Sequence, residues 1–208
     1  MSGIHDYGLF VLAGILLNLT PGQDTLYILG SSLARGRRVG VASALGICAG
    51  CIVHTLAAAA GLSAILTTSA AAFVVVKLVG AAYLIYLGIR FIVSPEHAVL
   101  AEGSAAPRAW KAFRQGVATN VLNPKVALFF LAFLPQFIDP ESPTKIAAFV
   151  ALGLTFVATG TAWCLFLAIA AASVRRFFAG HPATFPRLSR AAGALFVLLG
   201  VRLALAQR

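Results

Sequence analysis

The chain has 208 residues, of which 60% are hydrophobic and only 11% are charged. Because about a quarter of the residues in a typical soluble domain are charged, this composition argues against a soluble globular protein. The net charge of +10 is compatible with a nucleic-acid partner. The basic residues are grouped beside alternate connections between apolar segments, however, and this distribution argues against nucleic-acid binding.

Six apolar segments approach or exceed the roughly 18 to 20 residues that an α-helix needs to cross about 30 Å of hydrocarbon. They lie at residues 7–30, 39–62, 70–92, 115–138, 146–174 and 188–206. The connections between them are too short to form a soluble domain. We therefore predict an all-α integral membrane protein of six transmembrane helices, with a single transporter domain over residues 1–208.

Basic residues flank the first, third and fifth connections and predict the orientation of the chain. Eleven of the 16 Lys and Arg residues are found there: Arg35, Arg37, Arg38, Arg90, Arg108, Lys111, Arg114, Arg175, Arg176, Arg187 and Arg190. Since basic residues are enriched in cytoplasmic connections, these three connections are predicted to be cytoplasmic. Both termini are then predicted to lie in the periplasm.

The two halves of the chain resemble each other. Residues 80–90 of the third span are similar to residues 193–202 of the sixth, and a polar residue followed by proline occurs in both the first and the fourth span. We predict two repeats, 1–93 and 109–208, joined by a cytoplasmic linker at 94–108. Because each repeat has three spans, the second is inverted in the membrane, as in secondary transporters that bind substrate near the midplane. Chance similarity between apolar helices is the alternative.

The first span contains a polar sequence, residues 18–24, that predicts a break in the helix. Thr20 is a favourable N-cap, and Pro21 suits the first helical position, where no amide hydrogen is needed. Gln23 stands three residues after this cap and would complete a capping box. The first helix is therefore predicted to stop near Asn18 and to start again at Pro21.

The fourth span repeats this pattern, with Asn123 as the predicted cap and Pro124 as the first helical residue. Broken helices leave backbone groups unpaired, and membrane proteins tolerate such breaks where they line a polar cavity. We predict that the two breaks face each other and form a substrate site. The predicted substrate-binding residues are Asn18, Thr20, Pro21, Gly22, Asp24, Asn120, Asn123, Pro124 and Lys125. Two ordinary proline kinks are the alternative.

Three ionisable residues within the spans are candidates for function, because charged groups inside a membrane are costly. Asp24 is predicted to bind a substrate ammonium group or to carry a coupling proton. Lys125 is predicted to meet a substrate carboxylate or to pair with Asp24, and a purely structural pair is the alternative. His54 is a second candidate for proton coupling. It is equally compatible with a packing role, since Gly46 and Gly50 on its face predict close helix contact.

Three cysteines lie within the spans, and two of them, Cys48 and Cys51, share a helix face with His54. This arrangement permits soft-metal binding or thiol redox chemistry. A metal site would need a further ligand, for which only Cys164 is available. We therefore interpret the cysteines as packing residues and expect no metal and no cofactor. The sequence has no phosphate-binding loop, so ATP-driven pumping is not expected.

Four motifs occur in order along the chain: Thr20-Pro21-Gly22-Gln23-Asp24; Gly46, Gly50, His54 and Gly61-Leu62; Gly80, Tyr83-Leu84 and Tyr86-Leu87-Gly88; and Asn120, Asn123-Pro124-Lys125, Phe129-Phe130 and Pro135-Gln136-Phe137. Together they resemble the lysine exporter and homoserine/threonine resistance (LysE/RhtB) family over essentially the whole chain. The resemblance implies a bacterial inner-membrane exporter of amino acids or their derivatives, driven by the proton or another ion gradient, that works as a homodimer. Gln23 stands where the family usually has a second proline, which weakens any inference about the particular amino acid.

These features predict a secondary transporter, not an enzyme, that exports a small amino acid or derivative by alternating access. The substrate chemistry is assigned to the first and fourth spans, and the other four spans are interpreted mainly as scaffold. A heavy-metal exporter is one alternative and would depend on Cys48, Cys51 and His54. A membrane thiol–disulfide electron carrier is another, and it would be inactive without its cysteines.

Overall fold

Helices form almost all of the described structure, a computed structural model that covers residues 3–62, 70–93, 109–181 and 184–205. In chain order the helices are α1 (Tyr7–Leu19), α2 (Gln23–Arg35), α3 (Arg37–Ala57), α4 (Ala70–Val93), α5 (Ala109–Val121), α6 (Pro124–Leu128), α7 (Lys145–Gly180) and α8 (Thr184–Leu205). Wider turns, Ala58–Leu62 and Phe129–Phe133, extend α3 and α6, and a tight turn, Leu134–Phe137, follows the second of these. Within the described ranges, β-pairing is limited to one isolated bridge between Ile4 and Ile138.

Several helices are long and apolar enough to cross a membrane. The segments Arg37–Gly61 and Lys145–Ala171 each qualify alone. Two further spans are obtained if α1 is combined with α2, and α5 with the segment 125–137, each pair being bent by 48°. The chain is therefore a multi-pass membrane protein. Helices α4 and α8 occupy the positions of the predicted third and sixth spans.

Helix α7 is longer than the predicted fifth span. It has 36 residues, or roughly 54 Å at 1.5 Å per residue, which exceeds the thickness of the hydrocarbon core. The predicted span ends at residue 174, whereas the helix continues through Arg175 and Arg176 to Gly180. Hydropathy indicates where a helix leaves the lipid, and the helix itself can continue into water.

The helices pack in pairs, α4 along α8 and α3 along α5, while α7 contacts α1, α2 and α3. Glycines permit the close approach of α3 to α5. A Cβ atom on Gly50 would lie 2.8 Å from the Asn120 Cβ, and one on Gly46 would overlap the backbone of Phe113. The prediction that the face of Gly46 and Gly50 packs closely against another helix is confirmed.

An aromatic core fills the space between α1 and the turns that follow α6. Phe10 contacts Phe129, Phe133 and Phe137, with ring centroids 5.4 to 6.3 Å apart. All four side chains are almost completely buried. Phe129 also contacts Phe156, with ring centroids 4.7 Å apart, and Phe156 lines the candidate site described next, so the core adjoins that site.

Candidate functional site at the two helix breaks

The helices are interrupted at two breaks, residues 20–22 and 122–123, and residues beside the two breaks contact each other. Helix α1 ends at Leu19 and α2 begins at Gln23, while α5 ends at Val121 and α6 begins at Pro124. Residues of the first break contact residues of the second across more than 90 positions of sequence. These contacts build the candidate site.

The second break has the predicted cap. Asn123 adopts an extended backbone conformation, and its Oδ1 accepts a hydrogen bond from the backbone N–H of Lys125 at 3.0 Å. Pro124 occupies the first turn of α6. Backbone N–H groups in the first turn have no partner within the helix, so the lack of an N–H in proline costs no hydrogen bond there. The local prediction for Asn123 and Pro124 is confirmed.

The first break is built differently from the prediction. Thr20 does not cap α2, because its hydroxyl donates to the Leu16 carbonyl at 2.6 Å and so completes the end of α1. Gly22 occupies the cap position of α2 in an extended conformation without a side-chain hydrogen bond. Pro21 therefore lies in the link between the helices, and Gln23, the first residue of α2, forms no capping box with Thr20.

Lys125 joins the second break to the first. Its ammonium Nζ donates hydrogen bonds to the Leu17 carbonyl at 3.0 Å and to the Thr20 carbonyl at 2.7 Å. Both carbonyls lie at the C-terminal end of α1, where the helix leaves acceptors unpaired and carries a partial negative charge. The lysine thus satisfies backbone groups that lipid could not, and it binds residues about 105 positions away in the sequence.

Asp24 joins the first break to the second. It lies in the first turn of α2, where the partial positive charge of the helix favours an anion. Its Oδ2 accepts a hydrogen bond from the Asn120 side-chain amide at 2.8 Å. Its other oxygen, Oδ1, is buried and lies within hydrogen-bond distance of no described residue, although the Asn123 side chain also interacts with the carboxylate. Lys125 lies close enough to interact electrostatically with this carboxylate.

His54 forms a hydrogen bond with the C-terminal end of α5. Its Nε2 lies 3.1 Å from the Asn120 backbone carbonyl, which can only accept, so this nitrogen donates. The imidazole stacks on Phe130 with ring centroids 5.8 Å apart. His54 thus contacts the same residue, Asn120, whose side chain binds Asp24, but it is not one of the described residues that line the cavity.

A narrow cavity of about 50 Å³ lies between the breaks. Seven of the nine predicted substrate-binding residues line it: Asn18, Thr20, Gly22, Asp24, Asn120, Asn123 and Lys125. Since one water molecule needs about 10–15 Å³, the cavity has room for only a few water molecules. An amino acid would require the walls to move apart.

The second and fifth spans also line this cavity, which the sequence did not reveal. The additional lining residues come mainly from α3 and α7: Ile47, Cys48, Cys51, Phe156, Val157, Gly160, Thr161, Trp163 and Cys164. The interpretation of these two spans as scaffold is therefore incomplete. Most of these side chains are small or apolar. Only Thr161 and Trp163 have polar groups that could have indicated a cavity from the sequence.

The three cysteines lie at the cavity wall. Cys48 on α3 and Cys164 on α7 are buried and interact with each other. His54, which shares a face with Cys48 and Cys51 in the sequence, binds Asn120 instead. Across the part of the chain that the structure describes, no group of three His, Cys, Asp or Glu residues could hold a metal ion.

Comparisons with known proteins find relatives that match almost the whole length of the chain. The chain is 32% identical to the homoserine/homoserine lactone efflux protein of Salmonella typhimurium over 201 residues, which cover 95% of each protein. It is 28% identical to the leucine efflux protein of Salmonella choleraesuis over 209 residues, 99% of this chain and 97% of the relative. It is 30% identical to an uncharacterized membrane protein of Pseudomonas aeruginosa over 209 residues, 98% and 97% of the two chains. No solved structure matches it.

The family model for LysE type translocators matches residues 15–207. The match thus includes both helix breaks, the cavity between them and the helices α3 and α7 that line it. Since it extends over nearly the whole sequence, the chain belongs to the LysE type translocator family.

Proposed function

We propose that this protein exports an amino acid or a close derivative from the cytoplasm across the bacterial inner membrane. The observation that carries the proposal is the pair of opposed helix breaks, with a carboxylate and an ammonium group between them. The named efflux proteins among its relatives, for homoserine, homoserine lactone and leucine, support the same class of cargo. Membership of a translocator family agrees with transport rather than catalysis.

The proposed binding site uses charge from both breaks. Asp24 Oδ1 is buried and has no hydrogen-bond partner among the described residues, so it is the acceptor available to a substrate ammonium group. The positive charge of Lys125 would attract a substrate carboxylate while its ammonium group remains hydrogen-bonded to the end of α1. Asn18, Thr20 and Asn123 lie in the same walls and supply further polar groups.

The proposed transport cycle is alternating access between two inverted repeats of three spans each. The helix contacts support it. If the two repeats exchanged places, the contact between α4 and α8 would be unchanged, and the contact between α3 and α5 would become a contact between α7 and α1. All three contacts are present. In the predicted orientation the aromatic core of Phe10, Phe129 and Phe133 stands between the cavity and the periplasm. Rocking of one repeat against the other would open this core and release the solute outward.

The proposed driving force is the proton gradient. Asp24 and His54 are the two candidate carriers, and both contact Asn120, Asp24 through the side chain and His54 through the backbone carbonyl. Proton binding at Asp24 would remove the charge that holds a substrate ammonium group. Binding of substrate and proton would then exclude each other, as an antiporter requires.

A growth panel tests the proposal. Cells that express the protein, and cells with an empty vector, would be grown with inhibitory concentrations of homoserine, homoserine lactone, leucine, threonine and lysine. We expect resistance to at least one compound, with matching efflux from loaded vesicles that falls when the pH gradient is collapsed. Unchanged growth and no efflux for the whole panel, with the protein present in the membrane, would contradict amino-acid export.

A further inference from the structure

Three residues of the cavity wall each have a buried polar atom with no hydrogen-bond partner in the part of the chain that the structure describes. Two are acceptors, Asp24 Oδ1 and Asn120 Oδ1, and the third is a donor, the indole Nε1 of Trp163. All three residues line the same cavity. Buried polar groups are nearly always paired, so three exceptions in one small cavity need an explanation.

The two acceptor-bearing residues are hydrogen-bonded to each other. The Asn120 amide nitrogen donates to Asp24 Oδ2, while Asn120 Oδ1 faces α3, where a Cβ atom on Gly50 would lie 2.9 Å from it. An ammonium group has three donors and no acceptor, and it therefore matches the charged acceptor, Asp24 Oδ1. Because this oxygen is buried, a solute reaches it only when the cavity widens.

The donor comes from α7, a different helix. An indole N–H can only donate, so its partner must be an acceptor. Trp163 also borders an apolar groove of about 390 Å³ between α1 and α7. The groove gives the indole room to move when a solute widens the cavity, and the ring is positioned by stacking on Phe166 at 5.4 Å.

We propose that Trp163 is a substrate-binding residue whose indole N–H donates a hydrogen bond to a carbonyl or carboxylate oxygen of the exported amino acid, while Asp24 accepts from its ammonium group. The inference rests on the proposed function and adds a specificity-determining residue from the fifth span. The substrate class is a compact primary amine with an acceptor oxygen close to the amine, as in an α-amino acid or its lactone. A solute that lacks this oxygen gains nothing from Trp163.

Binding measurements on the purified full-length protein test this directly. L-leucine and L-homoserine would be titrated calorimetrically, alongside the amines 3-methylbutylamine and 3-amino-1-propanol, which keep each side chain but lack the carboxylate. We expect Trp163→Phe to weaken amino-acid binding about tenfold, because one hydrogen bond to a charged group is lost. The amines should bind wild type and Trp163→Phe equally. A purely structural effect would weaken both classes of ligand.

The chain has only two tryptophans, which provides a matched control and a second readout. Trp110 is 67% exposed and stacks on Phe113, outside the cavity. Trp110→Phe should bind as wild type does, and its remaining indole fluorescence should change when the amino acid binds. In Trp163→Phe, saturating amino acid should leave the fluorescence unchanged.

Three results would overturn the inference. They are equal amino-acid affinity in Trp163→Phe and wild type, equal weakening of amino acids and amines, and unchanged fluorescence in Trp110→Phe at saturation. If any of these results occurs while the growth panel shows resistance, the role of Trp163 in substrate binding is rejected and amino-acid export is retained. If wild type binds neither amino acid and the panel shows no resistance, the proposed function fails and the inference fails with it.

Discussion

At the scale of single residues, Lys125 stabilises the end of α1 through its hydrogen bonds to two backbone carbonyls, in addition to any contact with substrate. Replacement by methionine would leave the carbonyls of Leu17 and Thr20 unpaired inside the protein. We expect Lys125→Met to lower the free energy of unfolding by about 1–3 kcal/mol, the usual cost of orphaned buried polar groups. Thermal unfolding of the detergent-solubilised protein measures this as a lower midpoint.

The matched control for this variant is Lys145→Met. Lys145 begins α7, away from the helix breaks, and its replacement should change the unfolding midpoint little. Equal midpoints for Lys125→Met and wild type would mean that the two hydrogen bonds to α1 contribute nothing to stability.

The residues of the candidate site differ in how far sequence alone could predict them. The cap at Asn123 was predictable because it depends only on a neighbour two positions away. The partners of Lys125 were not, since they lie more than 100 positions away and are backbone carbonyls, which carry no sequence signal. Thr20 was assigned to the wrong helix because its hydroxyl can bind forward as a cap or backward to the preceding turn, and both are local.

At the scale of helices, the crossing of α3 and α5 depends on glycine. A Cβ atom on Gly116 would lie 2.6 Å from the Ser43 carbonyl oxygen and 3.1 Å from the Ile47 backbone nitrogen. Because backbone atoms cannot move aside, we expect Gly116→Ala to destabilise the protein by about 1–3 kcal/mol, as overpacking does. Thermal unfolding again provides the measurement.

Gly30 is the control for this substitution. It lies within α2, and a Cβ atom there would meet no atom within 4 Å. Alanine also has the higher helix propensity, so Gly30→Ala should leave stability unchanged or raise it by up to about 1 kcal/mol. Similar losses in Gly30→Ala and Gly116→Ala would show that close helix approach is not the reason for glycine at position 116.

The helix positions were predictable because hydropathy reports burial in lipid, whereas the lining of the cavity was not. Helices α3 and α7 contribute Ile47, Val157 and Gly160 to the wall. Such residues are equally common at lipid-facing and helix-packing positions. Only the packing of α7 against α1, α2 and α3 turns them toward the site.

At the scale of the whole molecule, the two ends of the described chain lie on the same side. Arg202 near the end of α8 forms an ion pair with Asp6 at 3.0 Å, just before α1 begins. The distribution of basic residues predicts that this side is periplasmic. Alkaline phosphatase is active only outside the cytoplasm, so its fusion to the C-terminus should be active. Green fluorescent protein fused to the same C-terminus should not fluoresce. The reverse pattern would mean that the orientation is opposite.

The central claim concerns transport of an amino acid past Asp24, and proteoliposomes test it most directly. The purified protein would be reconstituted with the amino acid to which the growth panel shows resistance, and counterflow would be followed in wild type, Asp24→Asn and Asp139→Asn. Asp139 is an exposed carboxylate outside the cavity. We predict that Asp24→Asn loses at least nine-tenths of the counterflow, roughly the tenfold or greater effect of removing a charged partner, while Asp139→Asn retains it. Counterflow at the wild-type rate in folded, reconstituted Asp24→Asn would contradict the account.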